Sequence, residues 1–323
     1  MGEWRVAGHA RAVRLLQGMI RRGRVAHAYV LAGPAHCGKT TLAREFAKAL
    51  NCEGEDPPCQ VCGPCRRIEA GEDFDVVEIS VRPDKQRIQI DQVREFHRRS
   101  ALTATGAKYK VAIVTQAELM SEEAANAFLK TLEEPPPRTV MLLATPRLSL
   151  LPATVVSRCV EISLGPVELP ELRKLLGERG TATAEDEEMV LEYAEGMAGW
   201  AVGMVTNSER LEEFRAMLKD WKEVLGGSAT ARVLLVDRLA SNRTVALEAL
   251  NVLARYYAVV ARRGWGATES LAPRNHPPPS EVGAWVRNVS VVRKAMRALA
   301  ANTLVRPTLE DMMISVKAPP APL

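Results

Sequence analysis

The sequence predicts an α/β fold: a parallel sheet built around a phosphate-binding loop, followed by a region made only of helices. Three observations carry that reading. Gly33-Pro34-Ala35-His36-Cys37-Gly38-Lys39-Thr40-Thr41 has the G-x-x-x-x-G-K-[ST] spacing of a P-loop. Short apolar runs then alternate with helix-periodic runs as far as Ser163, the pattern of a doubly wound sheet. From Pro166 onward the strand signal disappears.

The loop sits where its chemistry needs it. Tyr29-Val30-Leu31-Ala32 ahead of it predicts a short buried strand, and residues 41–50 behind it predict a helix with Leu42, Phe46 and Leu50 on one stripe. Glycines let the backbone fold back so that N–H groups face phosphate oxygens, and the helix N-terminus adds partial positive charge. In this pattern Lys39 reaches the β/γ-phosphates and the Thr40 hydroxyl helps hold magnesium.

At 323 residues the chain has room for two or three domains, and 47% hydrophobic with 25% charged residues describes an ordinary globular protein. A net charge of +4 does not demand nucleic acid, although it permits a local basic face. Met1-Gly2-Glu3-Trp4-Arg5 lacks the apolar core of a signal peptide, and no run of about 18 apolar residues is seen. The expected location is the cytoplasm, with no membrane contact.

Four of the six cysteines are clustered: Cys52, Cys59, Cys62 and Cys65. Two overlapping C-x-x-C steps with another Cys upstream match a four-thiolate zinc site in a reducing compartment. The intervening Glu53-Gly54-Glu55-Asp56-Pro57-Pro58 and Gly63-Pro64 are turn-formers with no core of their own, so a metal would supply the order that burial cannot. Two disulfides are the competing reading. A catalytic zinc is disfavoured, because four thiolates leave no open position. Cys37 and Cys159 read as ordinary thiols.

Residues 10–22 predict an amphipathic helix with Val13, Leu16, Met19 and Ile20 inward and Arg11, Arg14, Arg21 and Arg22 mostly on a solvated face. A second strand is expected over 75–80. A helix over 90–100 follows, with Val93 and Phe96 inward and Arg94, Arg98 and Arg99 outward. A third strand over 110–115 is apolar enough to be central. Its end reads Thr115-Gln116, two positions without charge, and Glu118 lies beyond the strand end. Ser121 predicts a helix cap, Ala125, Phe128, Leu129 and Leu132 a buried stripe, and Pro135-Pro136-Pro137 a stop. Strands are expected over 140–145 and 160–163, with Ser157-Arg158-Cys159 between them. Short helices over 168–180, 185–196 and 199–207 and longer ones over 209–226, 228–239, 244–263, 280–301 and 308–316 complete the chain. A loop is expected over 264–279 and a disordered tail over 317–323.

Four features in this order resemble a known family: His27-Ala28-Tyr29-Val30-Leu31-Ala32-Gly33 leading into the P-loop, the cysteine quartet, Asn126-Ala127-Phe128-Leu129-Lys130-Thr131-Leu132-Glu133-Glu134-Pro135-Pro136, and Ser157-Arg158-Cys159. Together they look like the bacterial clamp-loader subunits of the AAA+ class, the γ/τ motor and δ′ subunits of DNA polymerase III. The resemblance is strong over about residues 5–207 and fades beyond, where the run from Asn302 to Asp311 is similar to the Asn-x-Asn-x-Arg-x-x-Leu-Glu-Asp run near the end of δ′ chains.

The resemblance implies an AAA+ core over 1–166 with a zinc module at about 51–70, a helical lid over 167–207 and a helical collar over 208–323 that joins five subunits in a ring. It implies a nucleotide-binding set of Gly33, Gly38, Lys39, Thr40, Thr41 and Thr145, and structural zinc on Cys52, Cys59, Cys62 and Cys65. Arg158 is similar to the arginine finger that reaches the γ-phosphate bound by a neighbouring subunit. The implied partners are the γ/τ and δ subunits, with the sliding clamp and primed DNA met through the assembled complex.

Within that family the residues favour the δ′ stator over the γ/τ ATPase. Thr115 and Gln116 stand where motors resembling this family have Asp-Glu, so magnesium lacks an anionic anchor and water lacks a base. Gly199-Trp200-Ala201-Val202-Gly203 lacks the arginine that a motor places against its own nucleotide, and no τ-like extension precedes the last residue, Leu323. The intact P-loop leaves ATP and magnesium binding open, and γ/τ remains the alternative. A zinc-dependent nucleic-acid module is disfavoured, because the cysteine loop is acidic and only Arg66 and Arg67 follow it.

Overall fold

The computed structural model describes residues 1–101, 108–179, 183–264 and 279–316. The chain divides into two compact units, Met1–Glu178 with Gly196–Val202, and Arg179–Glu195 with Gly203–Leu323.

The first unit follows the predicted alternation: α1 (Ala10–Arg21), β1 (Ala28–Ala32), α2 (Lys39–Asn51), α3 (Gly63–Ala70), β2 (Val76–Ile79), α4 (Ile90–Ala101), β3 (Lys110–Val114), α5 (Glu122–Glu133), β4 (Thr139–Thr145), α6 (Ala153–Val156), β5 (Val160–Ser163) and α7 (Leu169–Arg179). The strands form a parallel five-stranded sheet in the order β2-β3-β4-β1-β5. β1, β3 and β4 are buried along their whole length, which is why they read as continuous apolar runs rather than alternating ones.

The period of two nevertheless sorts their side chains between two cores. Tyr29, Leu31, Val111, Ile113 and Leu142 face a cluster with Leu16 of α1 and Leu42 and Phe46 of α2. Val30, Ala112, Val114, Met141 and Leu143 face a second cluster with Val93 and Phe96 of α4 and Phe128 and Leu132 of α5. The Tyr29 and Phe46 rings meet edge to face with centroids 5.2 Å apart. Ser121 Oγ accepts from Ala124 N at 3.1 Å, capping α5 as its sequence predicts. On α4 the outward arginines are partly neutralised: both Arg98 and Arg99 pair with Glu95.

Two differences from the sequence expectation bear on the site. The cysteine segment is not all turn, because Gly63–Ala70 is helical, with Cys62 as its N-cap and Pro64 in the first turn, where a missing N–H costs nothing. After β3 the chain makes a short 3₁₀ turn over Ala117–Leu119 before α5.

The second unit is helical among its described residues. It holds α8 (Ala184–Ala194), the end of α9 (Ala198–Val205), α10 (Ser208–Gly226), α11 (Ala229–Ala240), α12 (Arg243–Gly264), α13 (Pro279–Ala300) and α14 (Val305–Ser315). Trp221 of α10 is buried and donates from Nε1 to the Ala249 carbonyl at 2.8 Å. The predicted start at 308 falls short of the observed one, because Pro307 sits in the first turn of α14 instead of preceding it. Residues 243–263 match a membrane span by length and by a mean hydropathy of 1.2, a run that the sequence alone does not make conspicuous. Leu250, Leu253 and Tyr257 of this helix are fully buried in the unit's own core. The loop expected over 264–279 and the tail over 317–323 lie almost wholly outside the described residues.

Candidate nucleotide site, cysteine cluster and exposed arginine

The P-loop leaves the sheet between β1 and β4. Gly33 N donates to Thr145 O at 3.1 Å, so the first glycine of the motif is tied to the end of the neighbouring strand. A Cβ on Gly33 would lie 2.2 Å from the Leu164 carbonyl, and only glycine fits there. Gly38, with φ +107, turns the chain into α2 in a conformation that a side chain would strain.

Lys39 is 8% exposed, and its Nζ donates to the carbonyls of Gly33 and Pro34, each at 2.7 Å. Burial pushes its pKa down, while the charges of Cys37 and Glu118 act in the opposite sense. Thr40 and Thr41 occupy the first turn of α2. Thr145 is fully buried and donates from Oγ1 to the Arg147 carbonyl at 3.0 Å. Two contacts that sequence reasoning misses brace the loop from outside. The His9 ring donates from Nε2 to the Cys37 carbonyl at 2.7 Å, and Gly199 N donates to the His36 carbonyl at 2.7 Å. No periodic signal marks either one. His9 stands at the turn before α1 with φ +57.

Beyond β3, Thr115 N donates to Ile79 O at 3.0 Å and Gln116 is exposed. Neither side chain can carry negative charge. Glu118, in the turn that follows, has its Oε2 sealed from solvent without a hydrogen-bond partner among the described residues.

The four clustered cysteines converge. Their Sγ atoms all lie within 4.8 Å of one another, and Cys52 Sγ is 3.9 Å from Cys62 Sγ. Tetrahedral coordination with Zn–S bonds of about 2.3 Å puts sulfurs roughly 3.8 Å apart, so the quartet fits such an ion. The disulfide alternative needs a bond of about 2.05 Å and is not what the sulfurs form. Backbone N–H groups of Gly54 and Cys59 point at Cys52 Sγ, and that of Cys62 at Cys59 Sγ, each at 3.3 Å. Donors of this kind favour thiolate. The backbone N–H groups of Val61 and Cys62 bring the Cys59 thiol down to about 6, while burial pushes Cys52 and Cys65 up. Burial acts on the lone thiols in the same sense as on Cys52 and Cys65: it raises Cys37 and takes Cys159 to about 11.

A buried ionic knot fastens this cluster to α2. Lys48 is 1% exposed; its Nζ donates to Glu45 Oε1 at 2.8 Å, to Gln60 Oε1 at 3.1 Å and to Glu69 of α3. Glu45 Oε2 in turn accepts from Gln60 Nε2 at 2.7 Å and from Arg5 N at 3.1 Å.

Arg158 follows the short helix α6. Its Nη1 donates to the Thr154 carbonyl at 2.9 Å and its Nη2 to Glu133 Oε1 at 2.8 Å, with both side chains exposed.

A strand, a glycine-bearing loop closing on a helix N-terminus, and a parallel sheet with helices on both faces define a P-loop α/β domain. Residues 8–168, just under half of the chain, match the family described as DNA polymerase III, delta subunit. Over 229 residues the chain is 30% identical to the DNA polymerase III γ subunit of Buchnera aphidicola, covering 69% of this chain and 62% of that protein. It is 36% identical over 156 residues to the τ subunit of Bacillus subtilis, covering 48% and 27%, and 34% identical over 159 residues to the δ′ subunit of the same organism, covering 49% and 48%. The chain thus spans less than two thirds of each of these relatives. Its fold is similar to that of a γ subunit-related protein from Thermotoga maritima, with TM-score 0.52 and 19% identity over 93% of this chain and 97% of that one. These matches support the clamp-loader family, with γ, τ and δ′ proteins all among the relatives.

Proposed function

We propose that this chain is the δ′-type stator of a bacterial replicative clamp loader, an AAA+ subunit that completes a neighbour's ATPase site instead of running its own. The observation that carries the reading is the end of β3, where Thr115 and Gln116 offer no carboxylate beside an otherwise intact P-loop. Hydrolysis of a nucleoside triphosphate needs its magnesium held and its attacking water oriented, and neither residue is acidic.

Arg158 is the residue the chain would lend. A guanidinium stays charged at any physiological pH and donates in a planar fork, which suits a γ-phosphate presented by the adjoining subunit. The cysteine quartet would hold a structural zinc and add no chemistry beyond order. The helical second unit would supply the collar contacts with γ/τ and δ in a five-membered ring. The sliding clamp and primed DNA would be met through that complex, in the bacterial cytoplasm.

The γ/τ motor is the second reading, favoured by the relation to γ over 69% of this chain. One experiment separates them. The purified chain, with magnesium and ATP, is expected to turn over negligibly; motor-level hydrolysis abolished by Lys39→Ala would establish the motor instead.

A further inference from the structure

The side-chain oxygens buried without a hydrogen-bond partner among the described residues include Glu118 Oε2. A carboxylate oxygen removed from water carries a penalty until a donor, a proton or a cation meets it. Other carboxylates of this unit have found arginines: Glu78 pairs with Arg44, Asp91 with Arg82 and Glu133 with Arg158.

The backbone fixes where this oxygen is carried. β3, β4 and β1 run parallel, with Val114 opposite Leu143 and Thr145 opposite Ala32, so all three end on the same edge of the sheet. The P-loop leaves from that edge, tied to Thr145. The turn bearing Glu118 follows β3 there and packs against β4. It is held firmly: Leu119 N donates to Gln116 O and Ile88 N to Leu119 O, each at 2.9 Å, and Ala117 is buried. The carboxylate is also within electrostatic range of Lys39.

We infer that Glu118 is the acidic anchor for the divalent cation of a nucleotide bound at the P-loop, supplied from the turn beyond β3 instead of from the strand end at Thr115. The inference rests on reading Gly33 to Thr41 as a nucleotide site. Magnesium takes oxygen ligands only, typically one or two carboxylates with waters and the substrate's phosphates, and a single carboxylate with one oxygen sealed from solvent meets that need. The second acid, which would orient an attacking water, has no counterpart at Gln116. The arrangement therefore suits retention of a magnesium nucleotide without its cleavage.

The test is equilibrium binding of a fluorescent ADP analogue to the whole chain, in excess magnesium and in EDTA. Wild type is expected to bind about ten- to a hundredfold more tightly with magnesium. Glu118→Gln should flatten that ratio to near unity while binding the metal-free nucleotide at least as tightly, since a charge repelling phosphate is gone. Thr115→Ala and Gln116→Ala should keep the wild-type ratio. Manganese bound in the presence of ADP, counted by electron paramagnetic resonance, should fall in Glu118→Gln. An undiminished magnesium effect in Glu118→Gln, or in Glu118→Ala, overturns the inference and leaves the nucleotide site standing. A wild type that binds no nucleotide, and is indistinguishable from Lys39→Ala, removes both. If both Glu118 variants unfold, the carboxylate is a structural group and the inference falls.

Discussion

Arg158 Nη2 stands 2.8 Å from Glu133 Oε1, in a pair that leaves the arginine side chain 37% and the glutamate 52% exposed. Glu133 belongs to the Leu132-Glu133-Glu134-Pro135-Pro136 run at the end of α5, and Arg158 to the Ser157-Arg158-Cys159 step. Two stretches that stand apart in the sequence are therefore one local arrangement. A pair this open contributes at most about 1 kcal/mol to stability and is readily exchanged. Arg158→Ala is expected to leave the folding midpoint and complex assembly unchanged. ATP turnover at the neighbouring site of a reconstituted complex should drop about a thousandfold or more. Unchanged turnover in steady-state assays would remove the finger role.

The cysteine quartet should bind one zinc per chain, read by elemental analysis of protein purified without chelator. Cys62→Ser, which removes one of the four sulfurs, should lose the metal and lower the melting temperature. Protein prepared with care and found metal-free would refute the ligand assignment.

Lys48 is the most stringent test of the core beneath that cluster. Replacing one member of a buried, hydrogen-bonded ion pair strands the other, at a cost of roughly 3–5 kcal/mol. Lys48→Met should destabilise the chain by that order in urea unfolding, and Glu45→Met on top of it should recover part of the loss. A single variant as stable as wild type would mean the knot is not buried as described.

Gly33→Ala places a methyl group 2.2 Å from the Leu164 carbonyl. The P-loop must shift to admit it, so nucleotide affinity measured by calorimetry should be lost while far-ultraviolet circular dichroism stays close to wild type. Binding at the wild-type level would show that the loop tolerates the displacement.

Glu95 gives a pH signature. Hydrogen bonds from Arg98 and then Arg99 hold its carboxyl at about 2, below the ordinary 4.5. A depressed carboxylate favours the folded state above the ordinary value and loses that effect as pH falls towards the depressed one. Carbon-detected titration should show Glu95 still ionised at pH 4, where exposed glutamates are largely protonated. A midpoint near 4.5 would show that the pairs do not persist in solution.

Local pattern makes much of the first unit legible. Tyr29 to Ala32, Lys110 to Val114 and the Ser121 cap follow from apolar runs and a hydroxyl placed before Glu122-Glu123. α3 is hidden because Gly63-Pro64 reads as a turn, although proline within the first helical turn loses no hydrogen bond. The partners of Lys48 are invisible for another reason. Glu45 is on its own helix, but Gln60 and Glu69 reach it only after the cysteine loop folds back, and sequence spacing does not encode that return. Glu118 lies past the strand end, where only a shifted register would nominate it as the acid, and burial alone shows that its Oε2 lacks a hydrogen-bond partner among the described residues. Glu133 has no function assignable from its motif until its distance to Arg158 is known.

Helix α2 is a rod of 13 residues with the P-loop at its front and Lys48 near its rear. At about 1.5 Å per residue it spans close to 20 Å. Grip on phosphate and custody of the sulfur cluster are thus mounted on one shaft. Through Lys48 the cysteine segment is fastened to the same helix whose first residue, Lys39, caps the P-loop.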